Sequence, residues 1–317
     1  MPSERARVLA LLDELQAAER AGAEALGQWM TVCRDPRLRG GLRVIRARDA
    51  GHAALAEGRL RALGGVPTAR AGRNLAALCG VLAAPDISDR AKVALLLGRF
   101  PAETYDPFAD IIRQIEHDSE TRTLLETIGD DERASLGWLR ERRDVPAPED
   151  GGPLGRESDR VVGFLDALRA AETASAELFV AWVAVCPLAG LRGGLRTIAA
   201  REATNAALLA ERLCDLGAVP RATIAEPTRA AALARVGARE LQDEEKLALV
   251  LAHHPEDADA GRAIMAAAES LGDYPETRET LCLIAAAEAS TVAWLRAYHA
   301  AMVERHLPRA RASGNEG

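Results

Sequence analysis

One long segment is written twice in this chain. Residues 37–67 and 190–220 match at 19 of 31 positions without a gap, and residues 11–33 answer residues 164–186 at the same offset. The duplication splits the 317 residues into two homologous units of roughly 145 residues each, long enough for two real cores. Both copies place carboxylates in the middle of apolar stripes. A charge there is costly unless something compensates it.

Alanine and leucine dominate, aromatics make up 3% of the chain, and β-branched runs are missing. The expected fold class is therefore all-α. The formal charge of −7 is spread over mixed signs with no Lys/Arg block, which argues against nucleic acid or a membrane surface as partner. No 18-residue apolar run occurs, and the first residues read as an amphipathic helix rather than a signal peptide. Cys33, Cys79, Cys186, Cys214 and Cys282 are odd in number and contain no CxxC pair. They read as reduced core residues of a cytoplasmic protein. Cys33 and Cys186 are equivalent in the two copies, which suggests a packing role.

Helical periodicity divides the first unit into four long patterns. Helix A covers about residues 3–33, with Val8, Leu11, Leu12, Leu15, Glu19, Leu26, Trp29 and Cys33 on one stripe. Helix B follows Asp35-Pro36 and ends at Gly64-Gly65, before Pro67. Its stripe runs Leu38, Leu42, Ile45, Asp49, His52, Ala56, Leu60 and Leu63. A connection of about twenty residues, with a short helix over 75–82, leads to helix C at 88–117. Pro101 and Pro107 should kink or break helix C. Helix D starts after Asp118-Ser119 and ends near Arg143. The second unit repeats the order from about Ser158, Leu188, Gln242 and Tyr274. The expected organisation is a bundle at 1–144, a Pro/Gly linker at 145–157, a second bundle at 158–306 and a disordered tail at 307–317. Short A–B turns and a long B–C connection predict that helix C is reached by a crossover along the bundle. The LRGGLR segments invite a phosphate-loop reading, but no strand precedes them and they lie inside a helical period.

Several acidic groups sit on these stripes near the helix midpoints. Glu19 is four residues after Leu15, Asp49 and His52 are spaced i, i+3, Glu132 lies between Ile128 and Trp138, and Glu103 lies near the middle of helix C. In a closed bundle they meet at one level. Carboxylates converging in a low-dielectric interior repel unless a cation compensates them. Carboxylates with one imidazole suit iron or manganese, where thiolates would suit zinc or copper.

The pattern resembles the ferritin-like superfamily of di-iron and di-manganese carboxylate proteins, over the full length of each unit. The resemblance is carried by Glu19 in AAER, by Asp49 and His52 in DAGH, by the LGG-x-P end of helix B, and by Glu132, Trp138 and Leu139 on helix D. It implies two tandem four-helix bundles with Glu on A, Glu-x-x-His on B, Glu on C and Glu-x-x-His on D. Asp49 is one methylene shorter than the expected glutamate, and Ser135 stands where a second histidine would be. In the second unit the equivalent positions are Glu172, Glu202, Asn205, Asp257, Glu288 and Thr291, with both histidines replaced. His254, three residues before Asp257, offers a rearranged ligand there.

Two functions follow as expectations. In the first, Glu19, Asp49, His52, Glu103 and Glu132 hold a dinuclear Fe or Mn centre, with Asp49 and Glu132 bridging. That centre would act in oxygen- or peroxide-linked redox chemistry or iron handling, with Glu172, Glu202, His254, Asp257 and Glu288 as a weaker second set. In the second, the chain is a metal-free ferritin-like scaffold with a structural or interaction role and no cofactor. The carboxylates would then pair with arginines such as Arg48, Arg133 or Arg201. Either way the duplication supplies an internal pseudo-dimer, so a monomer or small homo-oligomer is expected rather than a storage cage.

Overall fold

The computed structural model describes residues 3–70, 72–99, 108–143, 159–256 and 259–306, all within helices or their connections. Six long helices carry the architecture. In the first half these are α1 (Glu4–Val32), α2 (Pro36–Ala62) and, after three short helices, α6 (Ser119–Arg143). In the second they are α7 (Asp159–Val183), α8 (Ala189–Asp215) and α12 (Pro275–His306). The short elements are α3 (Arg73–Ala83), α4 (Asp89–Arg99), α5 (Ala109–Ile112), α9 (Glu226–Gly237), α10 (Asp243–Leu251) and α11 (Asp259–Glu269).

Local chemistry explains the ends. Ser3 caps α1 by accepting from the Ala6 amide at 3.2 Å. Asp35 caps α2 by accepting from the Arg37 amide at 2.8 Å, with Pro36 at the first helical position. Gly64 and Gly217 follow α2 and α8 at φ 81° and 75°, the left-handed conformation that a side chain disfavours. The expected helix C is broken in the second half. In the first, α4 and α5 lie on it, and Pro101 and Pro107 between them fall outside the described residues. In the second, α10 and α11 are separated around Pro255, because proline removes an amide donor and clashes with the preceding turn. The linker and tail expected at 145–157 and 307–317 lie outside the described residues.

α1 runs antiparallel to α2. Arg5 at its start bonds the Leu63 carbonyl at 2.7 Å, while a Cβ on Gly27 would touch Arg46 near the other end. The last long helix of each half packs more extensively on the second helix of the other half than on its own: α6 lies along α8, and α12 along α2. The LRGGLR segments lie inside α2 and α8 and permit this. A Cβ on Gly40 would stand 2.5 Å from the Glu276 carbonyl oxygen of α12, and Gly193 faces Glu120 of α6 in the same way. The second glycine of each pair makes a seat for an indole, Trp138 on Gly41 and Trp294 on Gly194. Charges repeat the exchange. Arg39 and Arg43 hold buried Glu276, while Arg192 and Arg196 hold buried Glu120.

Two apolar clusters are centred on the helices of each half. One joins Leu12, Leu15, Leu60, Leu125 and Ile128, and the other joins Leu26, Trp29, Leu42, Ile45 and Trp138. The second half repeats this with Leu165, Leu209 and Leu281 against Trp182, Leu195 and Leu295. Trp29 and Trp182 are buried, and each donates its indole N–H to an aspartate, Asp89 or Asp243, at 2.8 Å. Cys33 and Cys186 lie beside the same aspartates, and burial pushes both thiols up to about 12. Cys214, by contrast, is exposed, so the expectation of five core cysteines does not hold. One described stretch, Pro275–Glu304, is long and apolar enough to cross a membrane; half of its most apolar window is buried inside the protein.

Candidate metal centre

Between the two apolar clusters of each half lies a layer of acidic groups. In the first half α1 supplies Glu19, α2 supplies Asp49 and His52, and α6 supplies Glu132. One ligand atom from each lies within 4.8 Å of all the others. The ring Nδ1 of His52 is 3.2 Å from Glu132 Oε1 and 3.8 Å from Glu19 Oε2. Nδ1 and Glu132 Oε1 are both buried and lie within ion-pair distance of each other, without hydrogen-bond geometry. Gly22 makes room for the cluster, because a Cβ there would stand 2.9 Å from Asp49 Oδ2. Glu103 lies outside the described residues.

The electrostatics match crowded acids under limited solvation. Burial lifts the Asp49 carboxyl well above its ordinary range, with Glu132 and Glu19 adding to the effect. Burial raises Glu19 as well, with His52 opposing and Glu132 reinforcing. For His52, burial favours the neutral ring, but the Asp131, Glu132 and Glu19 carboxylates outweigh it and lift the ring well above its ordinary value.

Asp131 was absent from the sequence-derived set. Its Oδ2 lies 3.3 Å from His52 Nε2, and its Oδ1 accepts from Arg201 Nη2 at 3.0 Å across the boundary between the halves. Burial works against its charge, yet Arg201, His52 and Arg48 hold its carboxyl far below the usual range. The series Leu124, Ile128, Asp131, Ser135, Trp138 has helical spacing and could have revealed it.

Among the described residues, Arg48, Arg133 and Arg201 make their ion pairs and hydrogen bonds to other groups than Glu19, Asp49 and Glu132. Arg48 reaches Ser135 Oγ at 3.5 Å and the Leu283 carbonyl at 3.3 Å. Arg201 binds Thr291 Oγ1 at 2.7 Å as well as Asp131. Arg133 pairs with Asp130 on the surface. Among the described residues, none of Glu19, Asp49 and Glu132 forms an ion pair with an arginine or lysine. Ser135 and Thr291 thus accept from Arg48 and Arg201 at the positions where the resemblance would put a histidine.

In the second half Glu172, Glu202 and Glu288 come together in the same layer, again within 4.8 Å of one another. Asn205, the counterpart of His52, donates its amide to Glu172 Oε2 at 3.3 Å and to Glu288 Oε1 at 3.2 Å. Burial raises all three carboxyls, Glu288 to about 8, and Glu202 keeps Oε1 buried without a partner. His254 is not part of this trio, although it lines a cavity that reaches Glu202 and Glu288. Asp257 lies outside the described residues. Comparison with known protein families, characterised proteins and solved structures returned no match.

Proposed function

We propose that the first half binds iron or manganese through Glu19, Asp49, His52 and Glu132 as a dinuclear centre, and that the chain acts in oxygen- or peroxide-linked redox chemistry or iron handling. The single observation that carries this is the convergence of one ligand atom each from Glu19, Asp49, His52 and Glu132 within 4.8 Å of one another, in a layer where no arginine or lysine among the described residues pairs with these acids. Oxygen donors with one imidazole select such ions, and three ionised carboxylates come near to balancing either one or two divalent charges. Bound there, a redox metal with open positions supplies electron transfer to dioxygen or peroxide. The chain's own residues position the ligands. Asp131 accepts a hydrogen bond from His52 Nε2–H, which leaves Nδ1 as the ring atom that would hold a metal, and Arg201 keeps Asp131 ionised. Apolar layers on either side exclude water.

The mid-helix placement of these ligands on α1, α2 and α6 also supports reading each half as a ferritin-like bundle, the two halves forming an internal pseudo-dimer. Metal analysis of protein produced with both ions tests the assignment, with about two Fe or Mn per chain expected. Less than one tenth of that, with unfolding indifferent to a chelator, would remove it. A metal-free scaffold is the second reading. It is favoured by Asn205, whose amide satisfies the carboxylates of the second half where a histidine would bind metal.

A further inference from the structure

The second half contains a cavity of about 460 Å³ beside its acidic trio. Its walls are Leu178, Phe179, Trp182, Val250, Val292 and Leu295, with Glu202 and Glu288 also lining it. In the first half, Leu78 and Leu82 of α3 pack into the apolar cluster around Trp29. Beside Trp182 the space stays open, and α9 lines it with Ala231, Ala232, Arg235 and Val236. Ser175, the counterpart of Gly22, also lines it.

From this geometry we infer that the cavity binds a small organic amine, its ammonium on Glu202 and Glu288 and its aliphatic or aromatic body between Phe179, Trp182 and the aliphatic wall. Glu202, 2% exposed, and Glu288 line the cavity below its apolar walls, so its floor offers carboxyl groups to a donor. An ammonium offers three donors and a positive charge to a trio of acids. Phe179 and Trp182 are stacked, with ring centroids 6.5 Å apart, and supply flat apolar and cation-attracting faces. An anionic ligand would meet three carboxyl groups. A metal ion would meet the Asn205 amide, which already donates into the trio where His52 offers a lone pair in the first half. Arg235 lies on the exposed rim, where water screens its charge. This site is independent of any metal in the first half.

The test is calorimetry on the full chain, in chelator, with 2-phenylethylamine, 2-phenylethanol and 3-phenylpropionate. The amine is expected to bind one per chain and to raise the unfolding temperature, with the alcohol and the acid each at least about tenfold weaker. Glu202→Gln should weaken the amine about ten- to hundredfold. Ser175→Phe should fill the cavity and abolish binding while leaving the circular dichroism and Mn²⁺ binding by the first half unchanged. Equal binding of the acid or alcohol, no amine binding, or undiminished binding in either variant overturns the inference. If Glu202→Gln fails to fold, Ser175→Phe and the ligand series still decide it.

Discussion

His52 Nε2 faces Asp131 Oδ2 at 3.3 Å, and on the far side of that carboxylate Arg201 of the other half donates at 3.0 Å. The imidazole at the first cluster is therefore oriented by a group whose charge depends on the second half of the chain. Replacing Asp131 by Asn removes the carboxylate charge facing Nε2 and offers the ring an amide that can donate as well as accept, so its tautomer is no longer fixed. Mn²⁺ affinity, measured by chelator competition, should fall about ten- to hundredfold with the helical content unchanged. An unaltered affinity would mean that His52 is not a ligand.

Metal binding should stabilise the fold by mass action. With free Mn²⁺ at a hundred times its dissociation constant, unfolding should become harder by about 2.7 kcal/mol. His52→Ala should abolish that gain in differential scanning calorimetry. A gain that survives the substitution would place the ion elsewhere.

The chelated protein should also respond to pH through Glu288. Burial lifts its folded carboxyl from an ordinary 4.5 to about 8. Its stabilising contribution is therefore complete below pH 4.5 and is lost as pH rises through about 8, because the folded state must then ionise a buried acid. Glu288→Gln cannot ionise, so stability between pH 5 and pH 9 should fall less in the variant than in the parent, as read from denaturant midpoints about every half unit. Identical slopes would refute this.

Two glycines of α2 should respond in opposite directions. Gly40→Ala forces a methyl against the Glu276 carbonyl, only 2.5 Å from the Cβ position, and that backbone cannot yield. A loss of about 1–3 kcal/mol is expected. Gly58 is exposed on the same helix with nothing within 4 Å of its Cβ position, so Gly58→Ala should gain about 0.5–1 kcal/mol. Equal effects would show that the helices of the two halves do not meet as described.

Much of the cluster was legible in the chain because helical period is a local property. Glu19, Asp49, His52 and Glu132, like Glu172, Glu202 and Glu288, fall on apolar stripes, and the structure brings each set together. Asp131 lies beside the stripe that carries Glu132, not on it. α6 is buried against both α2 and α8, so its inward face is wide enough to hold adjacent residues. Glu103 and Asp257 fall outside the described residues. Pro101 and Pro107, expected to kink or break helix C, fall outside them too.

Helix identity, helix ends and the depth of each acidic residue follow from spacing, capping and proline chemistry, all of which act over a few neighbouring positions. Which helix lies beside which is a different matter, since it depends on packing between residues more than a hundred positions apart. Arg201 could have met Glu202 or Glu288 nearby, yet it bonds Thr291 and Asp131 because α6 lies along α8. The paired glycines show the same thing: their sequence is plain, but their purpose appears only once a backbone from the other half is set against Gly40 or Gly193 and an indole against Gly41 or Gly194.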